Sequence, residues 1–156
     1  MMRALEGRTA VVTGAGTGQA IAEAFAAEGA FVLCAGRTEA AIAQVASCVG
    51  GLAVPCDVTV LADVERLFAR ATGARGRVDV FVNNAGQTGP VGAMADVDLD
   101  AWRACAEVSL FGAMHGLGVA ASHGWAARRL APSTCRRAWA RTATRCGAPV
   151  PPRNSR

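Results

Sequence analysis

Four short runs hold the residues whose types and spacing could do chemistry. The first is Thr13-Gly14-Ala15-Gly16-Thr17-Gly18, directly after the apolar run Ala10-Val11-Val12. A turn with so few side chains can bring backbone N–H groups against a pyrophosphate. A helix starting there adds the positive end of its dipole. A buried strand, a Gly-rich turn and a helix open a dinucleotide-binding βαβ unit. An ordinary Gly-rich connection has the same composition, so these glycines do not decide alone. The other runs are Gly36-Arg37, Asp57-Val58 and Asn83-Asn84-Ala85-Gly86. The six cysteines form no Cys-x-x-Cys pair, and His115 and His123 complete no metal-ligand spacing. They read as reduced cytosolic thiols, with no metal site. The sequence contains no Tyr and no Lys.

The elements that must position these runs alternate. Residues 8–13 read as a first strand and Gln19–Glu28 as a helix, with Ile21, Ala22, Phe25 and Ala26 on one face. Phe31–Ala35 is a second strand. Thr38 is the expected N-cap of a helix reaching about Cys48. Leu52–Cys56 is a third strand. A helix follows from Thr59 or Val60 to about Thr72, with Val64, Leu67, Phe68 and Ala71 inward. Gly73–Gly76 is a turn and Val78–Val82 a fourth strand. Asp98 or Asp100 then caps a short helix through Trp102 and Cys105, and a longer one runs from about Val108 to Ser122. Such alternation implies an α/β fold, a Rossmann-type doubly wound parallel sheet. It is incomplete, with about four strands in the order 3-2-1-4. All four runs then fall at the carboxyl ends of strands, the edge where open α/β sheets bind ligands. Residues 1–122 form the expected nucleotide-binding domain and residues 123–156 a tail.

Together the four runs resemble the short-chain dehydrogenase/reductase family over roughly residues 5–122. Thr13-Gly14-x-x-x-Gly18 is similar to its cofactor turn and Asp57-Val58 to its adenine-contacting pair. Asn83-Asn84-Ala85-Gly86 is similar to the motif that steadies the sheet beside the cofactor. The resemblance implies NAD(P)-dependent interconversion of carbonyls and alcohols. It assigns cofactor binding to Gly14, Thr17, Gly18, Arg37, Asp57, Val58, Asn84, Ala85 and Gly86. Family members that prefer NAD place an acid after strand two. Gly36-Arg37 offers instead a fork suited to a 2′-phosphate, which favours NADP over NAD. A solvated loop cation is the plain alternative for Arg37.

The sequence departs from that family in three places. Gly18 is followed by Gln19-Ala20-Ile21-Ala22 where the family has Gly-Ile-Gly. Either Ala20 replaces the third glycine or, the preferred reading, two residues are missing. Loss of two residues rotates a helix by about 200°. The helix must then re-register or the phosphate turn must tighten. Ser109 stands at the position of the family's Asn, which holds a water of the proton relay. The family's catalytic Tyr-x-x-x-Lys has no counterpart in a chain without either residue. Ser122 and Ser133 match the family's catalytic Ser by type alone. The expectation is an oxidoreductase scaffold that is catalytically inactive. The alternatives are a non-catalytic NADP-binding module and a non-functional, pseudogene-like product.

Charge divides the chain. Residues 1–120 carry a net −4, residues 121–156 a net +8 with no acid at all. The tail is rich in Arg, Ala and Pro, without a recognisable strand five. An out-of-frame stretch of a GC-rich gene reads this way. So does a solvated, disordered cationic tail. Phosphate contacts from Arg128, Arg129, Arg136, Arg137, Arg141 and Arg145 form the third reading, but nucleic acid is an unlikely partner without a binding motif. No run of about 20 apolar residues suggests a membrane span, and the N-terminus enters the first strand without room for a signal peptide. A cytoplasmic protein is expected, acting on a small-molecule substrate of unreadable identity. Homo-oligomers or aggregates would form through the open sheet edge.

Overall fold

A computed structural model of the chain describes residues 3–93 and 95–123, with the side chains of residues 15–17 excepted. The sheet has four parallel strands, β1 (Thr9–Thr13), β2 (Phe31–Gly36), β3 (Leu52–Pro55) and β4 (Val80–Val82), in the order β3-β2-β1-β4. The helices are α1 (Ala15–Ala27), α2 (Glu39–Val49), α3 (Leu61–Arg75), α4 (Leu99–Ala106) and α5 (Gly112–Ser122). The order expected from the sequence is the order found.

The two-residue period of a strand explains how one apolar run serves two layers. On β1, Val11 enters the core with Leu33, Val64, Leu67, Phe68 and Val119. Its neighbour Val12 enters the opposite core with Val32, Cys34, Phe25, Ile42 and Val45. Helices α3 and α5 cover the first face, α1 and α2 the second. Val11 pairs with Leu33 of β2 and with Phe81 of β4, which fixes the level at which all strands end.

Several element boundaries differ from the sequence expectation. Helix α1 starts at Ala15, not Gln19. Gly14 takes the left-handed conformation (φ 69°), and Gly18 N–H donates to Gly14 O at 2.9 Å, so the glycines form the first helical turn. Helix α3 runs through Gly73 to Arg75 instead of stopping at about Thr72. It ends at Gly76, whose φ of 77° only glycine adopts readily. Strands three and four are shorter than expected. The two expected late helices are one, Leu99–Ser122, continuous through a wider π turn at Glu107–Phe111. Asp98 caps it, its carboxylate accepting from Asp100 and Ala101 N–H. The 24-residue helix is long and apolar enough to cross a membrane. Here its Gly112, Gly116, Val119 and Ala120 are buried, and Val119 and Ala120 pack into the sheet core.

Candidate functional site

The carboxyl ends of β1 and β4 are locked by Thr13 and Asn84. Thr13 Oγ1 donates to Val82 O at 3.2 Å and accepts from the N–H groups of Asn84 and Ala85, both at 3.1 Å. Asn84 Nδ2 donates to Thr13 O at 3.0 Å and Gly14 O at 3.1 Å. The contact is so close that a Cβ on Gly14 would lie 2.8 Å from Ala85 Cα. One on Gly18 would lie 2.9 Å from Val12 Cγ1 and 3.0 Å from Asn84 Nδ2. The glycines make room for the Asn-Asn-Ala-Gly run, and the Asn84 amide nitrogen holds the turn.

Helix α1 starts at Ala15, directly after the carboxyl end of β1. No side chain caps it, and its first turn holds no acid. Such a start can take an anion in place of water.

The β3–α3 loop is braced internally. Asp57 Oδ1 accepts from Thr59 N–H and Oγ1–H, and Asp57 N–H donates to Asp63 Oδ2 at 3.0 Å. That backbone bond, offset in part by desolvation and aided by Arg66, holds the Asp63 carboxyl below its ordinary range. The loop after β4 is clamped from the late helix. Ser109 Oγ donates to Gln87 O at 3.2 Å and accepts from Gln87 N–H at 3.1 Å. Cys105 Sγ donates to the same carbonyl at 2.8 Å.

These loops enclose a cleft of about 90 Å³ lined by Thr13, Gly14, Gly36, Arg37, Asp57, Val58, Ala85 and Gly86 over Ala35, Cys56 and Val108. Ordinary ligand pockets hold ~300–1,000 Å³, so a dinucleotide would lie along this groove rather than inside it. Arg37 is exposed and, among the described residues, in no ion pair. Burial, with Asp63 nearby, pushes the Cys56 thiol up to about 11, which disfavours its thiolate form. Among the described residues, no group of His, Cys, Asp and Glu could hold a metal ion.

Six residues named from the sequence thus meet at the cleft: Gly14, Arg37, Asp57, Val58, Ala85 and Gly86. Gly18 and Asn84 lie behind it as supports. The Thr17 side chain falls outside the described residues, as do Ser133 and the whole tail beyond His123. Ser122 Oγ is turned back onto Val119 O at 2.8 Å. Sequence reasoning did not assign roles to Thr13, Cys105 or His115.

The model of the short chain dehydrogenase family matches residues 8–128. The chain belongs to this family. It is 37% identical over 116 residues to a short-chain dehydrogenase reductase, ATA1, of Arabidopsis thaliana, covering 73% of this chain and 43% of that one. It is 33% identical over 158 residues to the mitochondrial borneol dehydrogenase of Lavandula x intermedia, covering 97% and 59%. Among solved structures, the 3-ketoacyl-(acyl-carrier-protein) reductase of Brucella melitensis, in complex with NADH, superposes with a TM-score of 0.74 at 31% identity. It covers 77% of this chain and 51% of that one. A short-chain dehydrogenase/reductase of Burkholderia phymatum in complex with NAD gives 0.72 at 32% identity, covering 79% and 46%. The chain spans about half the length of these relatives.

Proposed function

We propose that this chain is the coenzyme-holding part of a short-chain dehydrogenase/reductase, binding NADP in preference to NAD without turning it over. The observation that carries the reading is the meeting of all four strand-end runs at one groove, with Arg37 on its rim and no acid at Gly36-Arg37-Thr38. The uncapped start of α1 would take the pyrophosphate. Val58, beside Asp57, would form the wall for the purine, with the 2′-phosphate on Arg37 one loop away. Asn84 and Thr13 would hold the turn in place from behind.

When bound, the nicotinamide supplies hydride chemistry. The residues here supply binding and orientation only. A proton must also be passed to or from the substrate oxygen, and the family does this with a Tyr hydroxyl whose pKa a Lys lowers. With neither residue in the chain, and with Ser109 hydrogen-bonded to Gln87, the relay lacks its proton-transferring pair. The four described cysteines are free thiols, which suits a reducing cytoplasm.

Calorimetric titration tests this. NADPH is expected to bind saturably and more tightly than NADH, with Arg37→Ala removing about tenfold of the NADPH affinity and little of the NADH affinity. Equal affinity for the two nucleotides would refute the NADP preference. Consumption of NADPH with a carbonyl substrate, absent in a Gly14→Asp control, would refute the lack of turnover.

A further inference from the structure

Helix α5 meets the sheet and the β3–α3 loop through Gly112, Gly116 and Ala120, with Val119 and His115 the larger side chains. A Cβ on Gly112 would lie 2.6 Å from Val58 Cγ2, and one on Gly116 would lie 2.7 Å from Phe81 Cζ. Asn83 Nδ2 donates to Ala113 O at 2.8 Å. Between these contacts His115 brings Nδ1 to 3.0 Å from Val58 O. A carbonyl oxygen can only accept, so Nδ1 carries the hydrogen and donates it. His115 is half-buried, and the Val58 side chain is buried at the cleft wall.

The bond matters because of what else holds the loop. Among the described residues, the other hydrogen bonds of Asp57–Val60 stay within the loop and the first turn of α3. The His115 bond spans 57 residues of sequence and ties the loop to a different element. We propose that His115 is a positioning residue for the nucleotide. It draws the Val58 backbone onto α5 and so sets the depth of the wall against which the purine lies. Gly112 makes this possible by letting Val58 come into contact with the helix. The inference rests on the cofactor reading above.

The test uses the full chain and two half-ligands. Adenosine 2′,5′-bisphosphate carries the purine and the 2′-phosphate, and nicotinamide mononucleotide lacks both. His115→Leu keeps the bulk and loses the donor. Its affinity for the bisphosphate is expected to fall about five- to tenfold, the worth of one directed hydrogen bond, with the mononucleotide unaffected. His115→Asn, whose amide nitrogen can take the place of Nδ1, is expected to restore affinity to within about twofold. His115→Ala serves as a second donorless variant should His115→Leu not fold. Unchanged bisphosphate affinity in the donorless variant would overturn the inference. So would equal loss of both ligands, or failure of Asn to rescue, since a general packing defect behaves that way. If the parent chain binds no bisphosphate at all, the cofactor reading falls and takes this inference with it. If the parent binds and the variants match it, only the role of His115 falls.

Discussion

Gly14 and Gly18 are the residues least open to change. Gly14 combines a positive φ with an Ala85 backbone where a side chain would go. Gly14→Ala is expected to cost about 1–3 kcal/mol of stability and to push apart the ends of β1 and β4. Urea unfolding checks this as a lower midpoint with an unchanged slope. These glycines were legible in the sequence because a tight turn demands them locally. The role of Asn84 was less so: its motif marked the place, but only the fold shows its amide directed at Thr13 and Gly14 rather than at the groove. His115 could not be found at all. A histidine on an apolar helix carries no sign of which distant carbonyl it will meet.

Strands β1 and β2 were readable from unbroken apolar runs because a sheet covered on both faces needs no alternation. The start of α1 was misplaced because glycine normally delays a helix, whereas here Gly14 to Gly18 close its first turn. The entry to β4 depends on Asp79. Its side chain is 5% exposed and accepts from Thr9 N–H, Arg8 and Arg77. Burial pushes this carboxyl up, but the bonds from Thr9, Arg8 and Arg77 outweigh it and hold it below its ordinary range. A carboxyl depressed in the folded state stabilises above its unfolded pKa of about 3.9. That contribution disappears as pH falls through the lower folded value. Asp79→Asn is expected to destabilise by about 2 kcal/mol at neutral pH. The gap to the parent should narrow on acidification below about pH 4, measurable by denaturant titration at several pH values. In the core between α3 and the sheet, Phe68 is fully buried against Phe81. Phe68→Ala is expected to cost about 3–5 kcal/mol.

The described residues present a four-stranded sheet with one border at β4. Among the described strands β4 borders only β1. Beside it the late helix shows Leu110, Phe111, Met114 and Leu117 to solvent, each between 45% and 58% exposed. The chain has about half its relatives' length, and a continuing sheet and its helices would shield such a surface. Self-association is therefore expected, rising with protein concentration and reduced by the double substitution Met114→Lys, Leu117→Lys, as sedimentation velocity would show. The sheet order was legible in the sequence because the motifs fell in a fixed succession. The surface was not, because apolar residues on a helix look the same whether the sheet, a second chain or water lies against them. The origin of the Arg-rich segment after Ser122 is a question for the gene. A shifted frame predicts Tyr-x-x-x-Lys codons downstream in another register.

Titration of the purified chain with NADPH, followed at once by calorimetry and by nicotinamide absorbance, tests the coenzyme-holding reading most directly. Saturable heat that vanishes in Gly14→Asp, with absorbance unchanged in the presence of carbonyl compounds, is the expected result. No saturable binding, or steady oxidation of NADPH, would contradict it.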